Sequence, residues 1–350
     1  MRVLVLGCGP AGCSVALSSP PEVEVHLYDV FGSPRSACAG GLGLWAMREV
    51  EGYGPVFASS MYSATRTYVE ELEILGERAK LSLRAEDYGL KYFAVVMDRS
   101  AFDRALLDRA LSRENVTRVE SKPDASGYDL VVDARGMSSL PDLKDEDVEL
   151  LVQAYLEVED VEPKITLAVW KDMSRTGYFW EFPEVQSGRL KVGFGMSVAE
   201  LKQRRVGLRD VLHKYVERRG LRGRVVKYDG GRLPLTKPKL QHLFGSGMVR
   251  VGTAACLVDP LTGAGIRYAI RSGTALAETG FDARGYARAM KPTLRELGKR
   301  YWMKRLFCWI SQRTFDKLLK VVGEKVKDLD LKSLDLEGIR VVRKFPFIAF

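Results

Sequence analysis

The run Gly7-Cys8-Gly9-Pro10-Ala11-Gly12 constrains this chain more than any other feature. It follows a short apolar stretch, Val3–Leu6, that reads as a buried strand, and it precedes an apolar segment to Leu17 that reads as a helix. Glycines at such a junction permit a tight turn. They also let a pyrophosphate approach the amides at the helix N-terminus, where the helix dipole favours negative charge. A second strand, Val23–Tyr28, ends beside Asp29, where a carboxylate can accept both ribose hydroxyls of an adenosine. The chain therefore opens as a β-α-β unit suited to a dinucleotide. A secretory signal starting at Arg2 fits less well, because Pro10 interrupts the apolar helix a signal needs.

Residues 43–92 read mostly as helix, with Tyr62, Tyr68, Leu72 and Leu75 along one face, ahead of a strand at Tyr92–Met97. Phe102–Leu111 has the pattern of an amphipathic helix and Leu130–Val132 that of a third parallel strand. From Glu149 to about Phe194 the texture becomes alternating and aromatic. Ala154–Val158, Ile165–Trp170, Tyr178–Phe182 and Leu190–Phe194 predict an antiparallel sheet. A short buried strand returns at Val249–Gly252, then a glycine-punctuated turn and a helix over Gly265–Glu278, so that the chain re-enters its first unit. The expected fold class is α/β with an α+β second domain. A Rossmann-like nucleotide domain takes 1–55, 90–140 and 245–290, an antiparallel-sheet substrate domain takes 56–89 and 141–244, and a helical, basic segment takes 291–350.

With 350 residues, 46% of them hydrophobic, the chain can bury a large core, and its 28% charged residues are spread rather than gathered in tails. The net charge of +9 directs attention to polyanions, but no nucleic-acid motif accompanies it, and no nucleic-acid partner is expected. Cys8, Cys13, Cys38, Cys256 and Cys308 lack metal-ligand spacing, and their odd number argues for a reducing cytoplasm rather than a disulfide framework. His26, His213 and His242 have no catalytic companion nearby in sequence. The lack of a zinc-type cluster and of a Gly-Lys-Ser or Gly-Lys-Thr loop argues against a metal enzyme or a kinase. No stretch reaches the roughly 18 to 20 apolar residues of a spanning helix. Lys299–Val322 interleaves Trp302, Leu306, Trp309 and Ile310 with Lys299, Arg300, Lys304, Arg305 and Arg313. That pattern suits either a helix lying on an anionic membrane or one packed on its own domain.

Four further segments stand out: Ser36-Ala37-Cys38-Ala39-Gly40-Gly41-Leu42, Met97-Asp98-Arg99-Ser100-Ala101-Phe102-Asp103, Tyr178-Phe179-Trp180-Glu181-Phe182-Pro183, and Gly252-Thr253-Ala254-Ala255 continuing through Asp259–Ile266. Together with the Pro-Ala turn, they resemble the geranylgeranyl reductase family (digeranylgeranylglycerophospholipid reductase-like) of the p-hydroxybenzoate hydroxylase-like flavoproteins, over residues 1 to about 280. The first is similar to the family's Cys-x-x-Gly-Leu loop beside the flavin, and the second to its Asp-Arg-x-x-Phe-Asp segment, whose arginine reaches the cofactor. The third is similar to the Tyr-x-Trp-x-Phe-Pro motif against the lipid cavity. The fourth is similar to the second FAD fingerprint, whose helix points its N-terminus at the isoalloxazine.

The resemblance implies FAD held at Gly7, Gly9, Ala11, Gly12, Asp29, Cys38, Ala39, Gly41, Arg99, Thr253, Gly263, Gly265 and Ile266, and a prenyl chain held by Tyr178, Trp180, Phe182 and Pro183. No metal is implied. Cys38 is either a thiol that tunes substrate position or protonation, or a small residue packed in a loop. One departure is Thr253, where the family has Asp to hold a ribityl hydroxyl; a neutral hydroxyl makes a weaker hydrogen bond there. The chain is also shorter than many members, so its C-terminal part is expected to cover the substrate differently. The implied activity is FAD-dependent reduction of carbon–carbon double bonds in geranylgeranyl chains during isoprenoid lipid biosynthesis. It implies a prenyl-lipid substrate and an unidentified electron donor; the cysteine usage points to the cytoplasm, and peripheral contact at the inner face of the membrane is one of the two readings of the basic helix. The alternatives are a flavin monooxygenase or halogenase on the same scaffold, and a paralogue that binds flavin or lipid without turnover.

Overall fold

The computed structural model describes residues 1–29, 38–121, 123–140 and 142–326. Ser36 and Ala37 of the loop before Cys38, and the C-terminal segment beyond 326, lie outside the described residues. The chain opens with β1 (Arg2–Leu6), α1 (Pro10–Ser18) and β2 (Glu24–Tyr28). It continues through β3 (Gly41–Gly43), α2 (Leu44–Gly52), α3 (Pro55–Ala64), β4 (Thr65–Val69), β5 (Glu71–Leu75) and β6 (Lys80–Arg84). Next come β7 (Ala94–Met97), α4 (Arg99–Leu111), β8 (Val116–Val119) and β9 (Leu130–Asp133). The following stretch is β10 (Val148–Glu157), β11 (Lys164–Ala168), β12 (Phe179–Glu184), β13 (Arg189–Ser197), α5 (Val198–Arg204), α6 (Leu208–Arg219) and β14 (Arg224–Pro234). β15 (Phe244–Gly245), β16 (Met248–Arg250), α7 (Ile266–Glu278), α8 (Ala283–Trp309) and α9 (Gln312–Val326) complete it.

A six-stranded sheet runs in the order β15-β16-β9-β1-β2-β8, parallel except for the β15–β16 pair. Its strands come from three separate stretches of chain. Val3, Val5, Val25, Leu27 and Val132 are fully buried in it, as expected for a parallel sheet covered on both faces. Helices α1 and α7 cross so closely that a Cβ at Gly273 would lie 2.4 Å from the Ala11 carbonyl oxygen, and one at Gly252 would lie 2.8 Å from the Ala11 side chain. The two glycine-rich segments, 240 residues apart in sequence, thus meet at Ala11.

A second sheet runs β14-β10-β13-β12-β11-β5-β6, antiparallel except where β11 lies parallel to β5. Its outer face is closed by α6. The Phe179 ring stacks on Tyr215 at 4.2 Å and on Phe194 at 4.4 Å, each aromatic pair contributing about 1 kcal/mol beyond burial. Glu181 on that face accepts hydrogen bonds from the Tyr215 hydroxyl at 2.6 Å and from Arg219 at 2.7 Å. Because alternate residues of a strand face opposite ways, Phe179 and Glu181 turn toward α6 and leave Tyr178, Trp180 and Phe182 for the other face. A small sheet, β3-β7-β4, carries the loop that leads in from Cys38.

The helical reading of 43–92 is corrected. Helix ends at Ala64, and three strands follow. In β6, Leu81 and Leu83 are buried while Lys80, Ser82 and Arg84 are exposed, a period of two. Tyr62 and Tyr68 are exposed and line no helical core. The spacing of four aromatic and leucine positions mimicked a helix across what is a helix-to-strand junction. The strand β14, with exposed Val225 and Val226, carries no apolar run that would announce it.

Candidate active site

At its N-terminal end, Gly7 takes φ +107°, and any Cβ there would meet the Ala134 carbonyl at 2.5 Å. The Gly7 N–H donates to the Tyr28 carbonyl at 2.7 Å, and the Cys8 N–H donates to Asp29 Oδ2 at 3.1 Å, fixing the carboxylate beside the turn. Gly12 is closed off: a Cβ would lie 2.0 Å from the Gly7 oxygen. Gly9 is the opposite case. Among the described residues a Cβ there would meet nothing within 4 Å, which leaves the space in front of the α1 N-terminus open.

That space continues into one cavity of about 1420 Å³, larger than the ~300–1,000 Å³ of ordinary small-molecule sites. Its middle is walled by Cys38–Leu42, Arg99, Thr253 and Gly263–Ile266. Gly40, at φ +83°, packs on the Met97 carbonyl, and a Cβ at Gly41 would strike the Phe182 ring. The Gly40 N–H donates to Cys38 Sγ at 3.4 Å. Asp98 caps α4 by accepting from the Ala101 N–H at 3.1 Å, which fixes Arg99 at the first helical position. Arg99 then pairs with Asp103 through its Nη2 at 3.0 and 3.2 Å. Burial opposes charge on this guanidinium, but Asp103 and the Cys38 thiol more than offset it and hold the arginine firmly protonated. The N-terminus of α7, at Ile266, faces the same space.

The far end is the inner face of the second sheet. Trp180 Nε1 donates to Gln153 Oε1 at 3.1 Å, the Tyr178 hydroxyl donates to the Thr262 carbonyl at 2.6 Å, and the Phe182 ring sits against Gly41. Gly193 and Gly195 on β13 form a trough under these groups. A Cβ at Gly193 would lie 2.1 Å from the Trp180 ring, and one at Gly195 would lie 2.3 Å from Glu149 Oε1. Burial pushes the Tyr178 hydroxyl far above the usual phenol range, so it stays neutral. Lys191, buried on β13, pairs with Glu184 at 2.7 Å and donates to the Ala39 carbonyl at 3.2 Å, tying the Cys38 loop to the second sheet.

No family model matches the chain. Curated relatives do. The digeranylgeranylglycerophospholipid reductase of Methanothrix thermoacetophila is 24% identical over 96% of this chain and 94% of its own length. The reductase of the same name from Thermoplasma acidophilum is 25% identical over 98% and 96%. The chain is a homologue of digeranylgeranylglycerophospholipid reductases. Among solved structures, a geranylgeranyl bacteriochlorophyll reductase-like protein from Thermoplasma acidophilum superposes with a TM-score of 0.75, at 23% identity, over 99% of this chain and 97% of that one. HpxO of Klebsiella pneumoniae, complexed with FAD, shares the fold with a TM-score of 0.60, at 15% identity, over 99% and 98% of the two chains.

The residues expected from the reductase-like motifs divide in two. Gly7, Gly9, Ala11, Asp29, Cys38, Ala39, Gly41, Arg99, Thr253, Gly263, Gly265 and Ile266 line the cavity, as do Tyr178, Trp180 and Phe182. Gly12 and Pro183 do not. Gly12 serves the close packing of α1 on its turn, and Pro183 is buried on β12, its carbonyl accepting from the Thr67 hydroxyl at 2.9 Å. Glu149, Gln153 and Lys191 were missed. None belongs to a motif, although the alternation Glu149, Leu151, Gln153 along β10 is the signal that sets the first and last on one face. Among the described residues no His/Cys/Asp/Glu group could hold a metal, and all five cysteines are free.

Proposed function

We propose that this chain is a flavin-dependent oxidoreductase that binds FAD and saturates carbon–carbon double bonds of geranylgeranyl lipids. The observation that carries this reading is a single cavity running from the glycine turn and Asp29, past the Cys38 loop, to the Tyr178–Trp180–Phe182 wall. The open space before Gly9 suits a pyrophosphate on the α1 amides, and Asp29 suits the adenosine ribose. The Thr253 hydroxyl would hold the ribityl chain. The α7 N-terminus would stabilise negative charge on the flavin ring. Reduced FAD, when bound, supplies a hydride.

The chain's own residues supply position and dryness. Trp180 and Phe182 hold an apolar chain against the Cys38 loop, and the Tyr178 hydroxyl, committed to Thr262, presents only its ring. Cys38 sets the spacing of substrate from cofactor. The parallel-sheet segments 1–55, 90–140 and 245–290 act as the FAD-binding domain, with 56–89 and 141–244 as the substrate domain; the separate sheets and the cavity between them support that division. A separate electron donor reloads the flavin.

No helix among the described residues is long and apolar enough to cross a membrane. Contact with the membrane surface is instead assigned to the end of α8. Trp302, Leu306 and Trp309 stand on one helical face and are 61%, 66% and 80% exposed, while Lys304 and Phe307 turn inward. Purified protein titrated with FAD should acquire the yellow flavin spectrum. After anaerobic reduction with dithionite, that spectrum should return when a geranylgeranyl lipid is added. Failure of either step removes the reading.

A further inference from the structure

Among the described residues the cavity lining contains four carboxyl residues, and three are committed elsewhere. Asp29 accepts the Cys8 N–H, Asp103 is held by Arg99, and Asp229 accepts from the Tyr155 hydroxyl and Lys227. Glu149 differs. Its residue is 4% exposed, it opens β10 on the face that carries Gln153, and its carboxyl lies over Gly195 in the trough that also seats Trp180. The absence of a side chain at position 195 is what leaves room for it. Lys304, from the inner face of α8, approaches at 3.7 Å, an ion-pair distance too long for a hydrogen bond, and its Nζ has no hydrogen-bond partner among the described residues. Burial raises the Glu149 carboxyl above the usual carboxylate range despite the opposing pull of Lys304.

We infer that Glu149 is the acid that delivers the proton in the reduction, a role that rests on reading this site as an alkene reductase. One alkene carbon gains a C–H bond with the hydride from reduced flavin, which is oxidised, as the π bond breaks. The other carbon gains a C–H bond with the proton of Glu149 as its O–H bond breaks. The carboxylate left behind faces the Lys304 ammonium, whose charge stabilises it until a proton from solvent restores the acid. An isolated double bond has no polar handle, so an acid held beside it in an apolar wall supplies what positioning alone cannot. Tyr178 is a poor alternative, because its proton is engaged by Thr262 and burial holds it on the oxygen.

Glu149→Gln keeps shape and volume. It should still bind FAD, judged by the absorbance spectrum, and should still bind a geranylgeranyl lipid. Its single-turnover rate of flavin reoxidation by that lipid should fall at least ~100-fold. In the apoprotein, the infrared C=O band of a protonated carboxylic acid should persist in the wild type to higher pH than an exposed glutamate allows, and should be missing from the variant. The wild-type rate should decline as pH rises through the Glu149 titration. Lys304→Met, which removes the cation, should move that decline to higher pH, and this test does not depend on how well Glu149→Gln folds. A Glu149→Gln protein with the wild-type rate overturns the proposal, as does a decline unmoved by Lys304→Met or the absence of a variant-sensitive carboxyl band. A wild type whose reduced flavin is never reoxidised by the lipid instead defeats the reductase reading itself.

Discussion

Thr253 lines the cavity beside the second glycine-rich segment, where a neutral hydroxyl replaces the carboxylate that the resemblance leads one to expect. A charge-assisted hydrogen bond exceeds a neutral one by about 1 kcal/mol, so Thr253→Asp should tighten FAD binding about fivefold, read by fluorescence titration. Unchanged affinity would mean that position 253 does not reach the cofactor. The two turn glycines separate folding from binding. Gly9 has φ −76° and open space ahead of it, so Gly9→Ala should leave the melting temperature of the apoprotein unchanged. It should weaken FAD at least ~10-fold by placing a methyl group where the pyrophosphate must approach. Gly7→Ala, at φ +107° and 2.5 Å from a carbonyl, should lower the melting temperature itself. Residues of this kind are legible because the turn needs glycine at fixed spacing. Glu149, Gln153 and Lys191 are not legible in that way, because they reach the site only through the register of β10 and β12 on β13.

At the scale of elements, β4 to β6 show where pattern reading fails. The Tyr62-to-Leu75 spacing matches a helical face, yet the chain leaves the helix at Ala64, and β5 finds a parallel partner in β11 that no local signal announces. The parallel strands and α7 were legible because both-sided burial and a glycine-to-helix junction leave strong local marks. The joint between α8 and the loop after β11 rests on Lys171, which donates to the Arg175 and Phe307 carbonyls at 2.9 Å each. Burial lowers its pKa from 10.5 to about 8. A lysine depressed in the folded state opposes folding fully below pH 8, and the penalty fades as pH rises toward 10.5. The penalty is about 3 kcal/mol, at about 1.4 kcal/mol per pH unit. Denaturant melts of wild type and Lys171→Met should therefore converge or cross by about that amount between these pH values, with the wild type gaining. Parallel stability curves would show that Lys171 stays charged in the fold.

For the whole molecule, the helix that turns Lys304 toward the lipid cavity turns Trp302, Leu306 and Trp309 outward, and the chain carries a net charge of +9. A membrane-resident substrate and a membrane-seating face would then lie on opposite sides of one helix. Trp302→Ala with Trp309→Ala should reduce cosedimentation with phosphatidylglycerol vesicles about tenfold without altering FAD binding. Wild-type binding should weaken with salt as the charges are screened. Equal binding by the double variant would assign the exposed face to something other than lipid. One measurement tests the chemistry directly: the mass of a geranylgeranyl lipid recovered after anaerobic single turnover with the dithionite-reduced, FAD-loaded protein. An alkene reductase yields a product heavier by two hydrogens for each bond reduced, formed as the oxidised flavin spectrum returns. An unaltered lipid beside flavin that stays reduced, or a product that forms only in air and carries oxygen, would contradict it.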